Sequence, residues 1–126
     1  MRRRNFLQAL LGSSALAIAL PAPSRPAILI QDSPLAGFQY HAGERLWPAL
    51  QVGSPLQLRR EPGNRHDVNA VAVLYENWMI GYLPRRENHS VAQMLDRGQP
   101  LRARIIARRR SNDPWERIRL SVEVPV

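Results

Sequence analysis

Cysteine is absent from the 126 residues, which excludes disulfides, thiol nucleophiles and cysteine-based zinc sites. Lysine is absent too, so all 18 basic residues are arginine. The formal net charge of +8 therefore rests on one residue type, and compositional bias alone can produce such a value. Three of the arginines (Arg2, Arg3 and Arg4) fall in an N-terminal segment, which leaves 15 against 10 acidic residues, a net of +5. That balance is compatible with a polyanionic partner and does not require one. Long apolar runs are also missing. The stretch from Phe6 to Leu20 is interrupted by Gly12, Ser13 and Ser14, and is too short for a stable membrane span. The seven glycines are scattered, so no phosphate-cradling loop is present. The length leaves room for one domain with one small core.

What is present begins with an export-like leader, residues 1–24. Arg2, Arg3 and Arg4 form a basic head, the apolar run follows, and Ala17-Ile18-Ala19 offers small residues at a signal-peptidase spacing, with cleavage as late as Ser24 an alternative. Arg3-Arg4-Asn5-Phe6-Leu7-Gln8 resembles a twin-arginine signal, which addresses folded proteins for export to the periplasm or beyond. Residues 25–34 are proline-rich and read as an extended linker, in which Ala27–Ile30 offers a short edge strand.

The remaining chain, residues 35–126, reads as one domain. Leu35 to His41 is the first expected strand. Leu46 to Val52 is ambiguous, since Trp47 precedes Pro48 and a residue before proline avoids the helical region. Pro55 to Arg59 alternates apolar and polar with period two. Val71 to Tyr75 and Trp78 to Leu83 flank Glu76-Asn77 as a hairpin. Glu87 to Arg97 is the one expected helix of the domain, with Val91, Met94 and Leu95 on one face and Gly98 at its C-cap. Leu101 to Arg108 and Trp115 to Val124 form a last hairpin around the basic loop Arg108 to Pro114. About six short strands with one or two short helices predict a mostly β protein, a small closed or partly open barrel.

The centre of the domain is Arg60-Glu61-Pro62-Gly63-Asn64-Arg65-His66-Asp67-Val68-Asn69-Ala70-Val71-Ala72-Val73. Pro62, Gly63 and Asn64 supply turn dihedrals, and Asn69 to Val73 suits a half-buried strand. Between them stand Asn64, Arg65, His66, Asp67 and Asn69, more polar groups than a plain turn needs. This run, with Gly37 to Gly43 upstream and Ile80-Gly-Tyr-Leu-Pro-Arg85 downstream, resembles the signature of the HIRAN domain. The resemblance covers about Leu35 to Val124 and implies an OB-like β-barrel that binds single-stranded DNA, in some members at a free 3′ end. It places Tyr40 as a stacking aromatic, Asp67 as acceptor for a terminal 3′ hydroxyl, and Asn64 and His66 as neighbours in that pocket. The resemblance further implies that Tyr82 and Arg85 close the pocket and contact phosphate, with Asn69 in the same run. Gln39 stands where a basic residue is often found in the family, and His41 and His66 where tyrosines occur; Arg65 offers a compensating charge.

Each of these residues also has a plainer reading. Asp67 and Asn64 can serve only as turn caps, Tyr40 as core, and Arg108 to Arg110 as a solvated loop. His41, His66 and Asp67 lack the short-spaced pair of a metal site, so neither metal nor cofactor is expected. Ser54, Ser90, Ser111 and Ser121 lie in no nucleophile context, and the helicase and RING modules of larger relatives do not fit this length. The expectation is therefore a non-enzymatic DNA-binding module in an exported protein. Binding of a protein, peptide or small anionic ligand in the same cleft is the alternative, and acid–base chemistry by His66 and Asp67 a third.

Overall fold

A computed structural model of the chain describes residues 26–126. The export leader expected over residues 1–24 lies outside them. Six antiparallel strands form one sheet: β1 (Ala27–Pro34), β2 (Pro55–Arg60), β3 (Val71–Tyr75), β4 (Trp78–Tyr82), β5 (Arg102–Arg108) and β6 (Ile118–Pro125), in the order β1-β6-β5-β2-β3-β4. Two helices, α1 (Gly43–Leu46) and α2 (His89–Asp96), and four short 3-10 turns complete the described chain. None of these helices is long and apolar enough to cross a membrane.

The sheet is closed by the segment that follows β1. Leu35 N donates to Ile118 O (3.2 Å) beside β6, and Ala36 exchanges both backbone bonds with Tyr82 on β4 (2.9 Å each). Two residues thus tie one margin of the sheet to the other. Gly81 makes this approach possible: a Cβ there would stand 2.4 Å from Ala36 O and 2.9 Å from the Leu35 side chain. Inside lie Leu35, Phe38, Leu50, Ile80, Ile105, Ile118, Leu120 and Val122, all fully buried, with Val91 of α2 packed against them. Strand β3 lacks polar alternation because it is covered on both faces; Val71 and Val73 join the core, while Ala72 and Leu74 are buried as well.

The hairpin β3–β4 forms where its composition placed it. Glu76 and Asn77 both take positive φ (47° and 70°), the geometry that matches the twist of the flanking strands. Helix α2 ends at the expected glycine, Gly98, with φ 80° and Gly98 N bonded to Leu95 O (3.0 Å).

Four expectations change. Residues 27–34, read as linker with a strand only at Ala27–Ile30, are β-structured throughout and paired to β6. Leu35 to His41 is not a strand: Gly37 sits at φ 74°, and Phe38–Tyr40 turns back as a 3-10 helix that drives Phe38 into the core. Trp47 is helical despite the following proline, in a 3-10 turn (Trp47–Ala49) that continues α1, bringing a second short helix to the domain. The Arg108 guanidinium lies over its ring (4.1 Å) and bonds its carbonyl (3.0 Å), so tertiary contacts override the local preference. Trp115 belongs to a 3-10 turn capped by Asp113 (Trp115 N to Asp113 Oδ1, 3.0 Å), and β6 starts three residues later.

Candidate functional site

The polar loop between β2 and β3 is held from within. Glu61 N bonds Ala70 O and Ala70 N bonds Asp67 O, each 3.0 Å. Asn64 Oδ1 accepts from His66 N (2.8 Å) and Asp67 N (3.2 Å), and Asp67 Oδ1 accepts from Asn69 N (2.9 Å). These are turn-stabilising bonds of the Asx type, so the capping role considered for Asn64 and Asp67 is present in full. Arg60 anchors the loop from below, donating to Val68 O (3.0 Å), Ala70 O (2.8 Å) and both oxygens of Asp96 on α2. That hydrogen bond, opposed by a smaller burial effect and aided by the guanidinium charge, holds the Asp96 carboxyl below its usual range.

Two side chains outside the expected set complete the arrangement. Asn88, at the start of α2 and 1% exposed, does not cap its helix; its Nδ2 donates to Asp67 Oδ2 at 2.7 Å. Glu61 gathers Tyr82 Oη (2.7 Å) and Asn64 Nδ2 (3.1 Å) on one oxygen, with Arg59 3.6 Å from the other. Partial burial works to raise the Glu61 carboxyl, but the Tyr82 and Asn64 hydrogen bonds and the Arg59 charge outweigh it, and it lies below its ordinary value. The Tyr82 hydroxyl is pushed up, first by burial and then by the Glu61 carboxylate it serves. Glu61 stood within the central run and was legible as part of its pattern. Asn88 is 21 residues from Asp67, and no local signal links the two.

Around Asp67 the surface forms a two-lobed notch. One lobe of about 300 Å³ is floored by Ala36, Ala70, Leu83 and Tyr82, with Asn64, His66, Asp67 and Arg85 at its margin. The other, about 360 Å³, is lined by Arg65, His66, Asp67, Val68, Asn69 and Arg85. His66, Asp67 and Arg85 belong to both. His41 sets its ring edge-on to Tyr82 at 5.7 Å between centroids. Gln39 and Tyr40 do not line either lobe; Tyr40 is 78% exposed on the turn just before His41, which rules out a core role for it. Arg85 and Arg65 make no ion pair among the described residues, whereas Arg60, Arg102, Arg104, Arg109, Arg117 and Arg119 all do. No cluster of three or more histidine or acidic side chains able to hold a metal gathers among the described residues.

A closed small β-barrel with a polar notch between the β2–β3 loop and the start of α2 is thus the class of protein that fold and site define. Residues 28–126 match the model of the HIRAN domain, and the chain belongs to that family. It is 34% identical over 73 residues to the Fanconi-associated nuclease 1 homolog of Oryza sativa subsp. japonica, a match that takes in 55% of this chain but only 7% of that relative. Among solved structures it is similar to a protein from Lactobacillus plantarum (25% identity, 79% of this chain and 96% of the other, TM-score 0.67). It is also similar to the HIRAN domain of human HLTF (17% identity, 79% and 80%, TM-score 0.59), a likeness that speaks to the fold alone.

Proposed function

We propose that this chain is a non-enzymatic binding module for single-stranded DNA, gripping a free 3′ end in the notch around Asp67. The observation that carries the reading is the pairing of two unneutralised guanidinium groups, Arg65 and Arg85, with an apolar floor bounded by Tyr82, all converging on one fixed carboxylate. Phosphates need cations, a base needs an apolar or aromatic face, and a terminal hydroxyl needs an acceptor. Asp67 Oδ1 and Oδ2 each accept one protein hydrogen bond, and a carboxylate oxygen has room for a second. Family membership and the nuclease named for the rice relative support nucleic acid as the ligand class. The leader of residues 1–24 is proposed to export the domain; retention of an Arg3→Lys, Arg4→Lys variant in the cytoplasm would support this, and unchanged fractionation would remove it.

The test is a titration of a fluorescent oligothymidylate in rising salt. Each phosphate neutralised on a single strand contributes about 0.7 to the slope of log affinity against log salt. Arg65→Gln and Arg85→Gln should each lower the slope by about that amount. A slope near zero, unaltered by either change, would instead favour a protein, peptide or small-anion ligand in the same notch.

A further inference from the structure

The notch accounts for Tyr82 and His41, but not for a second ring at the opposite end of the same strand. Trp78 opens β4 directly after the Glu76-Asn77 turn and is 54% exposed. It is held in place there, because Gln57 bonds both Asn77 Oδ1 (2.9 Å) and Asn77 N (2.6 Å), fixing the tip of the hairpin. Arg45 of α1 lays its guanidinium over the Trp78 ring, 4.6 Å from the centroid.

Backbone pairing connects this site to the notch. The chain after β1 runs antiparallel along the margin of β4: Ala36 lies opposite Tyr82, Ala42 N donates to Met79 O (3.0 Å), and Arg45 meets Trp78. The same margin therefore carries His41 against Tyr82 at the notch end and Arg45 against Trp78 at the other, with the exposed ring of Tyr40 on the connecting segment. A bulge at Ile80 shortens the path: Tyr82 and Trp78 pair with Ala72 and Tyr75, three residues apart on β3, so at ~3.3 Å per residue the two ends are about 10 Å apart, the length of roughly three stacked nucleotides. The neighbouring carboxylate of Glu44 is engaged elsewhere, with Arg117. Arg45 has no carboxylate partner among the described residues.

We propose that this margin is a second contact for an unpaired DNA strand, in which the nucleotides leaving the notch follow β4 and stack a base on the open face of Trp78 beside Arg45. The proposal rests on the reading of the notch as an end-binding site. It is tested by measuring affinities of dT3 and dT10, each with a free 3′ hydroxyl, for the wild-type protein, Trp78→Ala and Arg45→Gln. Wild type should bind dT10 about tenfold more tightly than dT3, within the range one base stacked on an aromatic ring contributes. Both variants should lose most of that gain while holding dT3 as wild type does. A gain that persists in both variants, or no gain in wild type, overturns the extended track and leaves the notch intact. Failure of wild type to bind either oligonucleotide overturns the notch and the track together.

Discussion

Glu61 and Asp67 have opposite duties, although both are carboxylates in one loop. Glu61 spends its oxygens on Tyr82, Asn64 and Arg59, and so fixes the wall of the notch. Asp67 is oriented by Asn69 N and Asn88 and remains at the surface of both lobes. Because the folded chain holds Glu61 below its ordinary value of 4.5, the carboxylate stabilises the fold fully above that value. The contribution is lost as pH falls through the lower folded value. Tyr82 runs the other way: its raised value favours the protonated hydroxyl, so its contribution is present in full below the ordinary tyrosine value of 10.0 and is lost as pH rises through the higher folded value. Urea unfolding midpoints measured against pH should therefore fall on the acid side in wild type, and Glu61→Gln should flatten part of that fall while lowering the midpoint at neutral pH. Identical pH profiles for the two proteins would show that Glu61 does not hold the loop.

At the scale of elements, closure of the barrel depends on the two residues that bridge β6 and β4. Gly81→Ala would drive a Cβ into Ala36 O, backbone that cannot step aside cheaply. Thermal or urea unfolding of this variant should show a loss on the order of 1–3 kcal/mol, as for other overpacked sites; a loss under about 0.5 kcal/mol would mean that the Ala36–Tyr82 bridge is not needed. The elements that composition made legible are those decided locally. Glu76-Asn77 set the β3–β4 turn, period-two alternation marked β2, and Gly98 ended α2. Those it obscured are decided by tertiary contact. Phe38 leaves the expected strand because the core takes its ring, and Trp47 enters a helical turn under the hold of Arg108. The site divides in the same way. Asn64, His66 and Asp67 come from one contiguous run, so their proximity was written in the chain. The hydrogen bond from Asn88 depends on how α2 docks, and nothing in either segment announces it.

Over the whole molecule, the described arginines fall into two groups. Half of them are ion-paired within the chain, among them Arg60 to Asp96, Arg102 and Arg104 to the buried Glu123, Arg117 to Glu44, and Arg119 to Asp32. Net charge therefore overstates what is offered to a partner; Arg65 and Arg85, at the notch, are among the arginines with no ion pair among the described residues. The barrel supplies rigidity, the β2–β3 loop supplies the polar groups of the notch, and Asn88 at the N-cap of α2 orients the Asp67 carboxylate that the proposed end recognition uses. The central claim is that Asp67 reads a terminal hydroxyl, and it is tested most directly by comparing two oligothymidylates identical except for a 3′ hydroxyl or a 3′ phosphate. A hydrogen bond to a charged group contributes about 1.5–3 kcal/mol, so the hydroxyl-ended strand should bind the wild-type protein at least about tenfold more tightly. Equal affinities for the two strands would contradict it.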